Sequence, residues 1–519
     1  MIPAPHAPSA PWRAPWIVLG LLTAVQLGIG AWRAGVMLRE GLAAGVRPLG
    51  PSPGLGADLL MCGLLALAAW WWLPLHASGA DGPRRAAAWA LRFLLVAWGL
   101  AIAHYAWGLA LGRLTPSLTW PVLVFYFVGG AWVRRAPVSA APTPPPDPAL
   151  TAPPSPAPRR HPALWLALAC YGAQVPHIFF PYHYTDAQQI WACRAFKFAE
   201  RGALTGVFDC LDPVRPPLHS LILWLGVGDP TFQGRLLPLL LFGAFALLFY
   251  QLLRRVAPRL APWGLVWLLA TDHVFKGQVS AYAGVPVMIA IAAAIAVASD
   301  DGALVSSRGL GLAMGAVAGA TIALIRRDGL PEFLVAMAVL IWTARERRDL
   351  RLWLPLAGAA AGYLSWTLRP AALEAPVGFA PTLGVLPPLP QWAPAPVPAP
   401  LAMTRLAYGV QGQVFSHYGY GAFAWAWVIV VIWAARSVPR TGTDLARRLG
   451  LAGLAGWVGT YAVYAALTFL GQPQMSTLFV IRTGFGRHLV HFFPLCLLHA
   501  TATAERLLWG RAPPAQRGA

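Results

Sequence analysis

Charged side chains are scarce in this chain, and acidic ones are the scarcest. Only 11% of the 519 residues are charged, and 39 Lys and Arg outnumber 19 Asp and Glu. Soluble domains carry about 25% charged residues. Hydrophobic residues make up 57%, and apolar runs of about 18–22 residues recur along the whole length. This balance excludes an ordinary soluble domain and predicts an all-α polytopic membrane protein.

Cysteine is also rare, and its spacing excludes a cysteine-based metal site. The five cysteines are scattered, and no spacing matches a zinc motif. Cys193 and Cys210 lie in one polar loop and could pair if that loop faces an oxidising compartment, but two free thiols fit equally well. A cleavable signal pattern is lacking as well, because the first apolar span, at 16–35, is too long and has no small-residue cleavage site. We expect a retained helix there.

The net charge of +20 does not indicate a nucleic-acid partner. The arginines form short clusters between apolar runs, which is the pattern of membrane topology rather than of a basic binding surface. The runs predict about fourteen membrane spans. Their approximate positions are 15–35, 56–76, 88–111, 116–133, 162–180, 234–252, 261–276, 281–299, 308–325, 329–344, 352–368, 420–436, 449–470 and 487–506.

A Pro/Ala-rich segment at 136–161 divides the chain, because such a composition cannot pack a core. We predict a cytoplasmic linker there, between an N-terminal four-helix module (1–135) and a second membrane module (162–510). Alternating arginine clusters then place the loops 181–233 and 369–419 on the external side. The second of these loops is either a lid over a site or a passive spacer.

The first external loop contains an acid at the head of a predicted amphipathic helix. TDAQ at 185–188 has the pattern of a capping box, which predicts that a helix begins here. Trp191, Ala195 and Phe198 form an apolar stripe, so we expect this helix to lie at the membrane interface. Asp186 would then lie at headgroup level. On local grounds alone, a contact with the helix dipole explains this acid as well as chemistry does.

Several arginines lie in segments predicted to be external, against the usual bias of membrane proteins. Each could bind a phosphate near lipid, where the planar guanidinium matches phosphate oxygens, or could extend to lipid headgroups. Arg327, beside Asp328, and Arg487, between Gly486 and His488, are the two for which we favour phosphate. The full set is Arg215, Arg235, Arg326, Arg327, Arg482 and Arg487.

Histidines are also concentrated near the predicted external face. Most of them are expected to be interfacial hydrogen-bonding groups, but His183 precedes Asp186 closely and His273 adjoins Asp272, so these are site candidates. An Asp/His set could hold a divalent cation. The sequence establishes no cofactor. The histidines in question are His183, His219, His273, His417, His488 and His491.

The order of motifs over 162–506 resembles the GT-C glycosyltransferases, polytopic enzymes that take a sugar from a polyprenyl-phosphate carrier. Protein O-mannosyltransferases and lipid A aminoarabinose transferases are relatives in that family. The likeness rests on Asp186 at the head of an amphipathic helix, on RPPL at 215–218 and on Arg235 at the mouth of the next span. It extends to RRDGLPEF at 326–333 and to GFGRHLVHFFP at 484–494.

The resemblance implies that Asp186 is catalytic and serves as base for an acceptor hydroxyl on a lipid, a glycan or a protein. The site would face the outside of a bacterial-type plasma membrane. Some members of the family carry a second acid near Val285, which this chain lacks; Asp272 could replace it. Two alternatives stay open, a transporter or lipid flippase and a non-catalytic scaffold of the same fold.

Overall fold

The computed structural model describes residues 55–73, 82–135, 161–179, 187–210, 215–225, 230–279, 283–299, 308–343, 350–369, 398–412, 423–424, 445–470 and 485–509, with scattered helical positions between 20 and 39. Every regular element within these ranges is helical. This confirms the predicted all-α class for the described part of the chain. The predicted span at 420–436 and most of the linker at 136–161 lie outside it.

In the described part of the chain from residue 55 onward, nine α-helices precede residue 280. They are α1 (Leu55–Trp71), α2 (Gly82–Leu111), α3 (Thr119–Arg135), α4 (Pro162–Gly172), α5 (Cys193–Arg201), α6 (Leu218–Trp224), α7 (Pro230–Val256), α8 (Ala261–Ala270) and α9 (Asp272–Val279). The later described helices are α10 (Gly284–Ala298), α11 (Arg308–Ile325), α12 (Leu330–Thr343), α13 (Leu354–Thr367), α14 (Ala399–Val410), α15 (Leu445–Leu470), α16 (Gly486–Leu489) and α17 (Phe493–Trp509).

Three of the described helices are long and apolar enough to cross a membrane, within 85–111, 236–256 and 445–466. Shorter apolar helices accompany them. The predicted span at 261–276 is in fact two helices, because Thr271 has an extended backbone and its hydroxyl donates to the carbonyl of Trp267 at 2.7 Å. The break falls where the apolar run gives way to polar residues, Thr271, Asp272 and His273.

Helix α3 carries a large apolar surface on the outside of the molecule. Trp120, Val124, Phe125 and Val128 are all more than half exposed. They recur at the spacing of one helix face. A contiguous exposed apolar face of this kind is unusual for a water-soluble protein and suits contact with lipid.

The loop helices partly match the prediction. A π turn at Ala187–Ala192 leads into α5, and Trp191, Ala195 and Phe198 are buried as one stripe. Gly202 ends α5 in the left-handed region, with φ of 59°. By contrast, α6 is buried at every position, because this short helix has no continuous polar side to turn toward water.

Glycines allow α11 and α13 to pack backbone against backbone. A Cβ at Gly319 would overlap the carbonyl of Pro355, and one at Gly358 would overlap the carbonyl of Ala316. Gly315 and Gly319 on one helix and Gly358 and Gly362 on the other repeat every four residues, as in GxxxG contacts between membrane helices. This contact fixes the position of α11 relative to α13.

One hydrophobic core joins the two predicted modules. Helix α2 packs along α7 and α11, and the hydroxyls of Tyr105 and Ser365 lie 3.1 Å apart although one belongs to each module. On α15, a Cβ at Gly450 would overlap the ring of His499 and one at Gly456 the ring of Phe492. Glycines therefore let α15 pack closely against α17 and against the segment 486–492 that precedes it.

Candidate functional site

Three buried side chains meet where the start of α12 lies next to α16 and the 3₁₀ turn that follows it. Glu332 is in the first turn of α12, His488 is in α16, and His491 is in the 3₁₀ turn that joins α16 to α17. Nδ1 of His488 lies 2.8 Å from one carboxylate oxygen of Glu332, and Nδ1 of His491 lies 3.7 Å from the other. The acid is thus hydrogen-bonded to one imidazole and lies beside the other.

Close backbone approach makes this meeting possible. A Cβ at Gly329 would lie 3.6 Å from Cε1 of His491, and a Cβ at Gly459 would lie 3.8 Å from the Cα of Glu332. Trp457 donates its indole N–H to the carbonyl of Leu489 at 3.0 Å. Helices α12 and α15 and the helix mouth at 486–492 are therefore held together around the carboxylate.

Arg326 extends the cluster toward the turn that precedes α12. Its Nη2 lies 3.3 Å from Nε2 of His488. Since a guanidinium carries only donors, Nε2 must accept, and the ring proton is assigned to Nδ1, which donates to Glu332. A directed chain of hydrogen bonds therefore runs from Arg326 through neutral His488 to the carboxylate of Glu332.

Arg327, the next residue, contacts α13 instead of His488. Its Nη2 donates to the hydroxyl of Thr367 at 3.2 Å, and its guanidinium lies 5.1 Å from the centre of the Tyr363 ring. Arg369 lies 4.7 Å from the centre of the Trp366 ring. Burial lowers the pKa of Arg327, and the charge of Arg369 lowers it further, yet a guanidinium stays protonated at neutral pH. The end of α13 therefore holds two cations against aromatic faces.

The disulfide-linked loop forms a second group of cations and aromatic rings. Cys193 and Cys210 are paired, with Cα atoms 5.9 Å apart, which settles the choice between a disulfide and two free thiols. The guanidinium of Arg215 lies 5.8 Å from the centre of the Trp191 ring, and buried Arg194 donates to the carbonyl of Arg215 at 3.1 Å. Arg215 is thus tied to the loop itself.

The remaining predicted site residues are distributed as follows. Asp272 pairs with Lys276 of its own helix at 3.1 Å, and His273 is the next residue. The backbone carbonyl of Arg487 lies near Gly284, where an added Cβ would be 3.6 Å from the carbonyl oxygen. Arg235 lies in α7 and Asp328 lies in the turn before α12, and only their backbones are described. Asp186, His183 and Arg482 lie outside the described residues.

Sequence reasoning missed Glu332, the acid on which the cluster is built. It lies in a segment predicted as a membrane span, and an ionisable residue inside such a span is itself a signal of function. That signal could have identified it. Arg369 and Tyr363 were missed as well, since their proximity to Arg327 depends on tertiary packing. His491 was noted only as an interfacial histidine.

A cavity elsewhere in the described part of the chain offers no comparable chemistry. It has a volume of about 290 Å³ and lies between α1 and the start of α3. None of its lining residues ionises in the physiological range, so it suits an apolar occupant. The lining residues are Ala57, Leu60, Met61, Leu64, Pro116, Ser117, Thr119 and Trp120.

No protein-family model, curated protein or solved structure matches this chain. The function must therefore be argued from the site. Its arrangement offers a buried carboxylate, two imidazoles that could ligate a metal, and the partly buried guanidinium of Arg326. Such a set can hold an anion, relay a proton or bind a cation.

Proposed function

We propose that this chain is a membrane glycosyltransferase that moves a sugar from a polyprenyl-phosphate donor to an acceptor hydroxyl. The observation that carries the proposal is the contact between Arg326 and His488, residues 162 positions apart. The resemblance covers both the turn at 326–328 and the segment at 484–488, each with an arginine expected to bind the donor phosphate. Their hydrogen-bonded contact supports that assignment.

The chemistry needs a base for the acceptor and cations for the departing phosphate. Asp186 is the proposed base. Arg326, Arg327 and Arg487 are the proposed phosphate ligands, since guanidinium groups near lipid act in a low dielectric and match phosphate oxygens in pairs. Arg215 and Arg235 complete the proposed set from the first loop, with Arg482 from the segment before α16.

The proposed location is the external face of a bacterial-type plasma membrane, with about fourteen spans. The paired Cys193 and Cys210 support this side, because disulfides persist in oxidising compartments and are rare in the cytosol. The apolar helices and the exposed face of α3 support insertion in lipid. The acceptor is a lipid, a glycan or a protein.

The test is turnover by the purified, reconstituted protein given a polyprenyl-phosphate sugar and a panel of acceptors. Wild-type protein should transfer sugar and release polyprenyl phosphate, and Asp186→Asn should abolish both while its elution profile stays unchanged. Glu200→Gln, which changes an exposed acid on α5, is the control and should keep full turnover. Equal turnover in Asp186→Asn and wild type would refute the assignment of the base.

A proton-coupled carrier is the second candidate, and buried Glu332 is the observation that favours it. Carriers place Asp, Glu and His chains inside the membrane domain to move protons. A carrier would move a labelled solute or lipid across proteoliposomes without releasing polyprenyl phosphate. Flux that is lost in Glu332→Gln, with no sugar transfer in the wild type, would favour the carrier over the enzyme.

A further inference from the structure

The ring of His491 is buried without a hydrogen-bond partner in the described part of the chain. Its exposure is 0%, and neither Nδ1 nor Nε2 has a partner among the described residues. The second oxygen of Glu332 is likewise buried without a hydrogen bond among the described residues, and it lies 3.7 Å from Nδ1 of His491. Buried polar atoms are satisfied in the great majority of cases, so three such atoms at one point indicate a missing ligand.

The three side chains are arranged as metal ligands. One ligand atom from each of Glu332, His488 and His491 can be chosen so that all lie within 4.8 Å of one another. The measured contacts of 2.8 Å and 3.7 Å bracket the ~3.3 Å that separates two ligands in a tetrahedral site with bonds of about 2.0–2.2 Å. Small side-chain shifts would therefore bring all three onto one ion.

Two glycines border the His491 ring. A Cβ at Gly284 would lie 3.9 Å from Nε2, and a Cβ at Gly329 would lie 3.7 Å from Nδ1. Both distances are ordinary van der Waals contacts. Backbone from α10 and from the turn before α12 therefore lies beside the two ring nitrogens, and neither residue places a side chain against them.

We propose that Glu332, His488 and His491 bind a divalent transition-metal ion of the Zn²⁺ class. Two imidazoles and one carboxylate suit zinc and its neighbours, whereas Mg²⁺ and Ca²⁺ prefer sites made of oxygen atoms. Three protein ligands leave a fourth position for water or an anion. The ion would join the start of α12 to the helix mouth at 486–492, and its binding does not depend on glycosyl transfer.

Metal binding and the Arg326 contact compete for His488. With Nε2 accepting from Arg326, the ring proton is on Nδ1, the nitrogen that faces Glu332. Coordination through Nδ1 requires that proton to move to Nε2, where it would point at another donor. The guanidinium must then turn away, so metal occupancy releases Arg326 from His488.

The experiment is a zinc titration of the full-length protein in detergent after removal of metal with a chelator. Wild type should bind one Zn²⁺ per chain by calorimetry and by elemental analysis. His491→Ala and Glu332→Gln should each weaken binding by about 100-fold, at least as much as loss of a residue that only supports a ligand. His161→Asn should bind like the wild type, because it removes an imidazole far from the cluster in sequence while Asn keeps a side-chain cap on α4.

Two further results keep the proposal falsifiable if a ligand variant fails to fold. Arg326→Gln should bind zinc more tightly than wild type, since it removes both a competing donor and a nearby positive charge. Cobalt(II) added to wild type should give the visible absorption of a four-coordinate site. Three results would overturn the proposal: no stoichiometric zinc uptake by the wild type, no such cobalt band, or equal zinc affinity in the wild type and in His491→Ala.

Discussion

The carboxylate of Glu332 accepts a hydrogen bond from Nδ1 of His488 at 2.8 Å, although the residues are 156 positions apart. This bond joins the first turn of α12 to the helix mouth at 486–492. Arg326 donates to the other nitrogen of the same ring. The imidazole of His488 therefore connects the guanidinium of Arg326 to the buried carboxylate of Glu332. The proposals on phosphate binding and on the metal both depend on this connection.

Removing the buried acid should destabilise the protein strongly. Glu332→Ala should cost about 1–3 kcal/mol, because it leaves the buried Nδ1–H of His488 without its acceptor. The measurement is thermal unfolding in detergent with a chelator present, so that metal does not contribute. Glu200→Ala is the control, since it breaks an exposed contact with Lys197 at 2.6 Å and should leave Tm unchanged. Equal Tm shifts in the two variants would contradict the burial argument.

The contact between α11 and α13 should not tolerate a methyl group. Gly358→Ala should destabilise by about 1–3 kcal/mol, the usual cost of overpacking, because the new Cβ would meet the backbone carbonyl of Ala316. Gly63→Ala on α1 meets nothing within 4 Å and should stabilise by about 0.5–1 kcal/mol through helix propensity. The same unfolding assay measures both. A neutral or stabilising Gly358→Ala would show that the two backbones are farther apart.

The loop disulfide should be present in protein isolated without reductant. Cys193→Ser with Cys210→Ser should destabilise by about 3 kcal/mol, since the bridge closes a loop of 17 positions. A membrane-impermeant maleimide applied to intact cells should label this pair only after reduction. Labelling without reduction would contradict the pairing. Labelling that requires broken cells would contradict the external location.

The ring of Tyr363 should support the charge of Arg327 during donor binding. Tyr363→Leu removes a cation–π contact worth about 0.5–1 kcal/mol, so we expect the KM for donor to rise by about two- to fivefold. Tyr363→Phe keeps the aromatic face and should leave KM unchanged. Steady-state kinetics with varied donor would measure this. A similar rise in Tyr363→Phe would assign the effect to the hydroxyl instead of the ring.

The helices were predictable from apolar runs, because burial in lipid or protein requires long apolar segments with internally paired backbones. The positions of the helix ends were harder to predict. The break at Thr271 follows from one extended backbone conformation, and the buried environment of α6 follows from packing against α2 and α5. Neither has a periodic signal in the sequence.

The site was predictable only in part, for the same reason. Arg326 and Arg487 were both predicted to bind phosphate, which stays a prediction, and the structure brings Arg326 to His488, the neighbour of Arg487. The partner acid, Glu332, was not found, since a contact across 156 positions has no local pattern. The different directions taken by Arg326 and Arg327 depend on the turn before α12, which composition does not determine.

The most direct test of the account is the initial rate of polyprenyl-phosphate release from a polyprenyl-phosphate sugar by Arg326→Gln. We predict a fall of about 100-fold relative to wild type, typical of losing one group that stabilises developing negative charge. The control is Arg259→Gln, an exposed arginine in the turn before α8, near the helix end that carries Glu505; it should release polyprenyl phosphate at the wild-type rate. A wild-type rate in Arg326→Gln would contradict the proposed donor site.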